Sequence, residues 1–309
     1  MSAYHIPVLL RESVEGLNIK SEGTYVDATF GGGGHSAEIL KAIGSGRLYA
    51  FDQDADVTRN LPEDKRFTFI HGNFRFLRNY LKYEGVTQID GLLADLGVSS
   101  HHFNVPERGF TYRSEADLDM RMNQHSRLTA ETVINEYETA RLSSIFREYG
   151  ELHEAGRLAA SISRVRETGR IVSTAQLIDC IGSIAPRKSE NQFYSKVFQA
   201  IRIEVNRELD NLTELLQGTY DLLKPGGRLV IISYHSLEDR MVKNFMRWGN
   251  IKEPPVKDIY GLSVKPFTLV TRKPMIARDE EILANPRARS ARLRVAEKKQ
   301  NDDPAKPTY

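Results

Sequence analysis

Over the first hundred residues, short apolar runs alternate with stretches of helical spacing. Residues 24–29 (TYVDAT), 47–52 (RLYAFD), 67–71 (FTFIH) and 90–95 (DGLLAD) are brief and rich in β-branched or aromatic side chains. Each is bounded by Gly, Asp or Asn, which predicts four strands. Between them, segments such as 36–43 carry apolar residues at helical spacing. This alternation predicts βαβ units and a parallel sheet covered on both faces.

The pattern changes after about residue 105. From 128 to 223 the signals are almost all helical. Ser173-Thr-Ala-Gln176 has the capping-box form, followed by apolar Leu177, Ile178 and Ile181. Leu209, Leu212, Leu215, Leu216 and Leu222 share one face of a helix over 206–223. Lys224-Pro-Gly-Gly227 then breaks the helix. A strand at 228–233, a helix at 235–248 and late strands at 266–271 and 291–297 follow. One late strand with one helix is too little for a second sheet. The predicted fold class is therefore α/β: a discontinuous sheet domain, 1–105 with 201–309, interrupted by an inserted helical domain at 106–200.

The composition fits this picture. The chain has 309 residues, 40 % hydrophobic and 27 % charged, the profile of a globular protein of about two domains. No apolar run approaches the roughly 20 residues of a membrane helix, so no membrane partner is expected. The N-terminus lacks a basic n-region, so no signal peptide is expected. The single cysteine, Cys180, excludes an intramolecular disulfide framework and a cysteine-rich zinc site. It reads as a small buried hydrophobe, and a reducing cytoplasm fits. Net charge is only +2. Arg287, Arg289, Arg292, Arg294, Lys298 and Lys299 nevertheless face one acid, Glu297, over 285–299. Such a cluster can meet phosphate, or it can be a solvated end.

The candidate chemistry starts at Val26-Asp-Ala-Thr-Phe-Gly31-Gly32-Gly33-Gly34-His35-Ser36, four glycines between a strand and a helix. Glycine lets backbone approach a ligand closely. Asp52 ends the next strand, placed to accept ribose hydroxyls. Gly32-x-Gly34-x-x-Ala37 formally matches a dinucleotide fingerprint. Two further acids, Asp27 and Asp95, end the first and fourth strands. Three carboxylates around the crevice of such a sheet suit the amine and ribose of S-adenosylmethionine better than a pyrophosphate. Phe74, after the third strand, is a candidate to stack on adenine or a core residue. His102, after the fourth-strand loop, is a candidate ligand-facing residue. Its pairing with His101 lacks the spacing of a metal site, and no nucleophile–base–acid triad is visible.

The chain closely resembles the bacterial ribosomal RNA small-subunit methyltransferase H family, also called MraW. The resemblance runs from His5 to about Glu297, on ordered blocks. They include 27–36, 95–100, Glu107-Arg-Gly-Phe110, Leu118-Asp-Met-Arg-Met122, 198–208, Ser233-Tyr-His-Ser-Leu-Glu-Asp-Arg240 and 285–294. The resemblance implies a class I, Rossmann-like S-adenosylmethionine methyltransferase sheet with an inserted helical domain for substrate recognition. It implies N4-methylation of a decoding-centre cytosine of 16S ribosomal RNA within the small subunit. It places cofactor contacts at Gly33, Gly34, His35, Asp52, Phe74, Asp95 and His102. One departure is Ala116-Asp117 where relatives often read Gly-Pro.

On that implied reaction, Asp95 and the backbone carbonyls of the following Leu-Gly-Val loop are candidate acceptors at N4, with pure cofactor binding the other role for Asp95. His235 is a candidate contact to the base or its phosphate, or a helix-start histidine. Arg108, Arg121, Arg202 and the tail arginines are candidates for RNA phosphates. The oligomeric state stays open, a homodimer included. A non-catalytic small-subunit assembly factor and a nicotinamide-dependent oxidoreductase are the alternative functions.

Overall fold

The computed structural model describes residues 7–97, 106–252 and 265–300. It divides into two compact units, 1–97 with 210–309, and 98–209. In chain order the first unit contains α1 (Leu10–Leu17), β1 (Thr24–Asp27), α2 (Gly34–Ala42), β2 (Arg47–Asp52), β3 (Phe67–His71), α3 (Leu77–Tyr83) and β4 (Ile89–Asp95). The second unit holds α4 (Ala130–Glu136), α5 (Thr139–Glu148), α6 (Ala155–Arg166), α7 (Thr174–Ile181) and α8 (Glu190–Asn206). After it come α9 (Glu208–Leu222), β5 (Leu223–Ser233), α10 (Ser236–Trp248), β6 (Phe267–Leu269), α11 (Asp279–Ala284) and β7 (Arg292–Lys298).

The sheet has the order β3-β2-β1-β4-β5-β7-β6. Strands β1 to β5 are mutually parallel, but β7 lies antiparallel between β5 and β6. The parallel expectation thus holds for five strands and fails for the last two. Apolar periodicity reports burial and is blind to strand direction. The strand expected at 228–233 starts earlier, at Leu223, with an irregular register opposite Ile89 and Gly91. The expected return to the sheet at 201 falls inside α8, which runs unbroken to Asn206.

Strand residues alternate between two apolar layers, as the two-residue period of a strand requires. Val26, Tyr49, Leu92, Leu229 and Ile231 pack with Leu77 and Leu81 of α3, Leu212 and Leu216 of α9, and Phe245 of α10. Their neighbours Tyr25, Leu48, Leu93, Val230 and Ile232 pack on the other face with Leu17 of α1 and Ile39 of α2. Helices on both faces explain why these strands read as nearly continuous apolar runs.

The second unit has its own core, built on Ile134, Phe146, Leu158, Ile162, Leu177, Val197 and Ile201. The capping box at α7 forms in both directions, Ser173 with Gln176. Cys180 is half-buried. Among the described residues no helix is long and apolar enough to cross a membrane. Three arginines assigned above to RNA turn inward here. Arg108 is buried and donates to the carbonyls of Arg121 and Met122. Arg121 is clamped on Asp119, and Arg202 donates two bonds to Glu208. Counting charge along the sequence could not reveal these partners. The Ala116-Asp117 segment is anchored by Thr174, whose backbone N–H donates to Ala116 O, and by the pairing of Asp117 with Ser173.

Candidate active site

β1 and β4 are neighbours, while the chain runs outward from β1 to β2 and from β4 to β5. Their carboxyl ends therefore flank the switch point where such sheets bind ligands. Asp27, Asp52 and Asp95 close β1, β2 and β4. All three sequence-expected acids thus share one edge of the sheet.

The glycine loop is folded by bonds to these acids. Gly31 N–H donates to Asp52 Oδ2 at 2.8 Å, and Asp54 N–H donates to Oδ1 at 2.9 Å. Gly31 and Gly33 have positive φ, 51° and 78°, the region where only glycine is unstrained. Gly33 caps α2, and a Cβ there would strike the Phe30 ring. Gly32 is different: a Cβ there meets nothing within 4 Å, so its face of the loop is open.

Asp27 is fully buried. Its Oδ2 accepts from Ser36 Oγ at 2.7 Å and its Oδ1 from Thr29 N–H at 3.1 Å. Burial pushes its carboxyl up to about 6, against the pull of those two bonds. Asp27 therefore ties the loop to α2 from behind. The His35 ring is also buried, with Nε2–H donating to Val8 O at 3.2 Å. Burial pushes it down to about 4, so it is neutral. What His35 offers outward is its backbone N–H, which has no acceptor within its own helix.

Asp95 is held on two sides. Its N–H donates to Thr29 Oγ1 at 2.7 Å, and its Oδ1 accepts from the Tyr234 hydroxyl at 2.7 Å. Among the described residues Oδ2 accepts no hydrogen bond. Burial pushes the carboxyl up to about 7, helped by the negative charges of Asp27 and Glu238 and opposed by the Tyr234 bond. Burial and the adjoining Asp95 raise the Tyr234 phenol above its usual range, so it stays protonated and donates.

Phe74 begins a short turn after β3 and is half-buried against the sheet layer. Asn73 steadies that turn, accepting from Arg75 N–H and donating to Gln53 Oε1 at 3.0 Å. His102 lies outside the described residues. His235 caps α10: its Nδ1 accepts from Glu238 N–H at 3.4 Å, and Nε2 lies 3.2 Å from Glu238 Oε1. Glu238 thus engages Nδ1, while Nε2, though close to its carboxylate, makes no hydrogen bond among the described residues.

Thr29 and Ser36 carried no signal of their own in the sequence, whereas Tyr234 stands with His235 and Ser236 after the late strand, near the expected mouth. The available signal was position: Tyr234 follows β5, the strand beside β4, so it emerges at the edge that carries Asp95.

The chain matches the MraW methylase family over residues 2–299. It is 52 % identical over 297 residues to a Ribosomal RNA small subunit methyltransferase H from Phocaeicola vulgatus, covering 96 % of this chain and 98 % of that one. It is 51 % identical over 299 residues to a protein of the same name from Bacteroides fragilis, with the same coverage. A third, from Flavobacterium johnsoniae, is 51 % identical over 296 residues, again 96 % of this chain and 98 % of its own. Among solved structures, an rRNA methylase from Streptococcus thermophilus aligns over 96 % of this chain and 99 % of its own, at 14 % identity and a TM-score of 0.43.

Proposed function

The chain belongs to the MraW methylase family, and from that premise we propose that it methylates N4 of a decoding-centre cytosine in 16S ribosomal RNA of the small subunit. S-adenosylmethionine is the methyl donor, and the reaction takes place in the cytoplasm where small subunits are assembled. The observation that carries the reading is the Asp95 carboxylate at the end of β4, one oxygen bonded to Tyr234 and the other without a partner among the described residues.

The residues fit the cofactor. The open face at Gly32 admits a ligand to the loop. The first N–H groups of α2, from Gly34 and His35, suit the amino-acid carboxylate. Asp52, whose carboxylate accepts the Gly31 and Asp54 N–H groups, ends β2 where a carboxylate suits the ribose hydroxyls. Phe74 completes the adenosine side. Asp27 supports the loop without reaching the ligand. When bound, S-adenosylmethionine supplies an electrophilic sulfonium methyl.

Cytosine N4 is a poor nucleophile because its lone pair is delocalised into the ring. Asp95 Oδ2 accepts an N4–H hydrogen bond, which localises that lone pair and aims it. Holding the two reactants in line contributes up to roughly 7–11 kcal/mol in ideal cases. The N4 proton then passes to Asp95 or to water. His235 acts through α10, as its cap, rather than on the base. The base enters unstacked from the RNA, and the helical unit recognises the surrounding RNA.

The test is methyl transfer from labelled S-adenosylmethionine to purified, unmodified small subunits, followed by nucleoside mass spectrometry. Label in N4-methylcytidine is the expected result. Label in another nucleoside, or none with cofactor bound, overturns the reading.

A further inference from the structure

A cleft of about 300 Å³ opens beside the end of β5, lined by Tyr234, His235, Ser236, Arg289, Ser290 and Arg292, with Ile276 and Ala291. We propose that this cleft is a phosphate subsite that holds a phosphodiester of the substrate strand next to the reacting base. The inference rests on the reading above that the substrate is RNA, and it assigns residues outside the cofactor loop.

The lining contains two guanidiniums and no carboxylate. The acids nearest in sequence are already occupied. Asp239 accepts from Arg294 at 2.7 and 3.0 Å and from Arg292 Nη1 at 3.2 Å. One carboxylate between two guanidiniums leaves a positive charge over, and Arg292 is the half-exposed member of the pair. Glu238 is buried and accepts Tyr234 N–H at 2.9 Å. Arg289 is exposed, and among the described residues it forms no hydrogen bond or ion pair.

The backbone presents these groups in a fixed direction. Asn285 caps the turn Pro286–Ser290 by accepting Arg287 N–H. Ala288 and Ala291 are both buried, so the chain is pinned on either side of Arg289 and Ser290. Arg292 opens β7, paired with Ser233 at the carboxyl end of β5. The α10 N-terminus, through Ser236, adds the positive end of a helix dipole. Guanidiniums match a phosphate in both charge and donor geometry.

Tyr234 connects the cleft to the chemistry. It lines the cleft, and its hydroxyl bonds Asp95. A phosphate held in the cleft therefore lies one side chain away from the carboxylate that meets N4.

The test is equilibrium binding of short single-stranded RNA oligonucleotides across a salt series, for wild type, Arg289→Ala, Arg289→Lys and Arg289→Ala/Arg292→Ala. Losing the one phosphate contact lowers the slope of log affinity against log salt by about 0.7, fully in the double variant and in part in Arg289→Ala. The loss is the same for oligonucleotides of different sequence, and Arg289→Lys restores most of it. Unchanged slope and affinity in the double variant overturn the proposal, as does a loss confined to one sequence. Inorganic phosphate alone is the second probe. If it raises the wild-type melting temperature but not that of Arg289→Ala, while the RNA slope is unchanged, the cleft takes a free anion and the proposal falls. A wild type that binds RNA but methylates nothing sinks the methyltransferase reading and leaves the salt slope to judge the subsite.

Discussion

The Tyr234 hydroxyl donates to Asp95 Oδ1 at 2.7 Å across 139 positions of sequence, joining the ends of β5 and β4. That bond opposes the burial that raises Asp95 to about 7. In Tyr234→Phe the carboxyl therefore rises further. The acid limb of kcat/KM, which reports the free enzyme, lies near pH 7 in wild type and moves to higher pH in the variant. A lower plateau with an unmoved limb would mean that Tyr234 serves packing alone.

Asp27, raised to about 6, makes stability depend on pH. A carboxyl raised in the folded state contributes stability that is full below its unfolded pKa and is lost as pH rises through the folded one. Asp27→Asn removes that loss. Relative to wild type it gains up to about 3 kcal/mol between pH 4 and pH 7. Urea unfolding at both pH values checks this, and a difference that does not change with pH contradicts it.

Gly32 and Gly34 separate packing from ligand contact. A methyl group at Gly34 runs into the Pro7 ring, whereas at Gly32 it meets open space. Gly34→Ala is expected to lose about 1–3 kcal/mol of stability. Gly32→Ala melts like wild type but binds S-adenosylmethionine more weakly in calorimetry. Equal affinity in Gly32→Ala would show that no ligand approaches the loop there.

Arg294 and Asp239 form a buried pair between β7 and α10. Burial pushes the Asp239 carboxyl up, but the bonds and charges of Arg294 and Arg292 outweigh it and hold the group below its ordinary value. Arg294→Ala costs about 3 kcal/mol at neutral pH, because it strips a buried charge of its main partner. The stability from this pair is present above the unfolded carboxyl pKa and is lost as pH falls through the folded one. The deficit of Arg294→Ala therefore shrinks below about pH 4. Denaturant midpoints across that range decide it.

Local elements were legible in the sequence wherever their cause is local. The strands at 47–52 and 67–71 appear with the expected bounds, because β-branched runs between turn residues need no distant information. The Ser173–Gln176 box forms as read, because both partners lie within one helical turn. Arg108, Arg121 and Arg202 read as surface charge, yet each satisfies a carbonyl or carboxylate of its own unit. The side chain of His35, a residue expected at the cofactor, is spent on Val8 O.

The sequence by itself determined which apolar residues face inward, where the glycines relax the backbone and which acids end the strands. Each of these follows from a two- or 3.6-residue period or from the absence of a Cβ. The tertiary structure alone decided the order and direction of the strands, the meeting of Tyr234 with Asp95 and the burial that raises Asp27 and Asp95. Those depend on which distant segments exclude water from a carboxylate, and no local period carries that information.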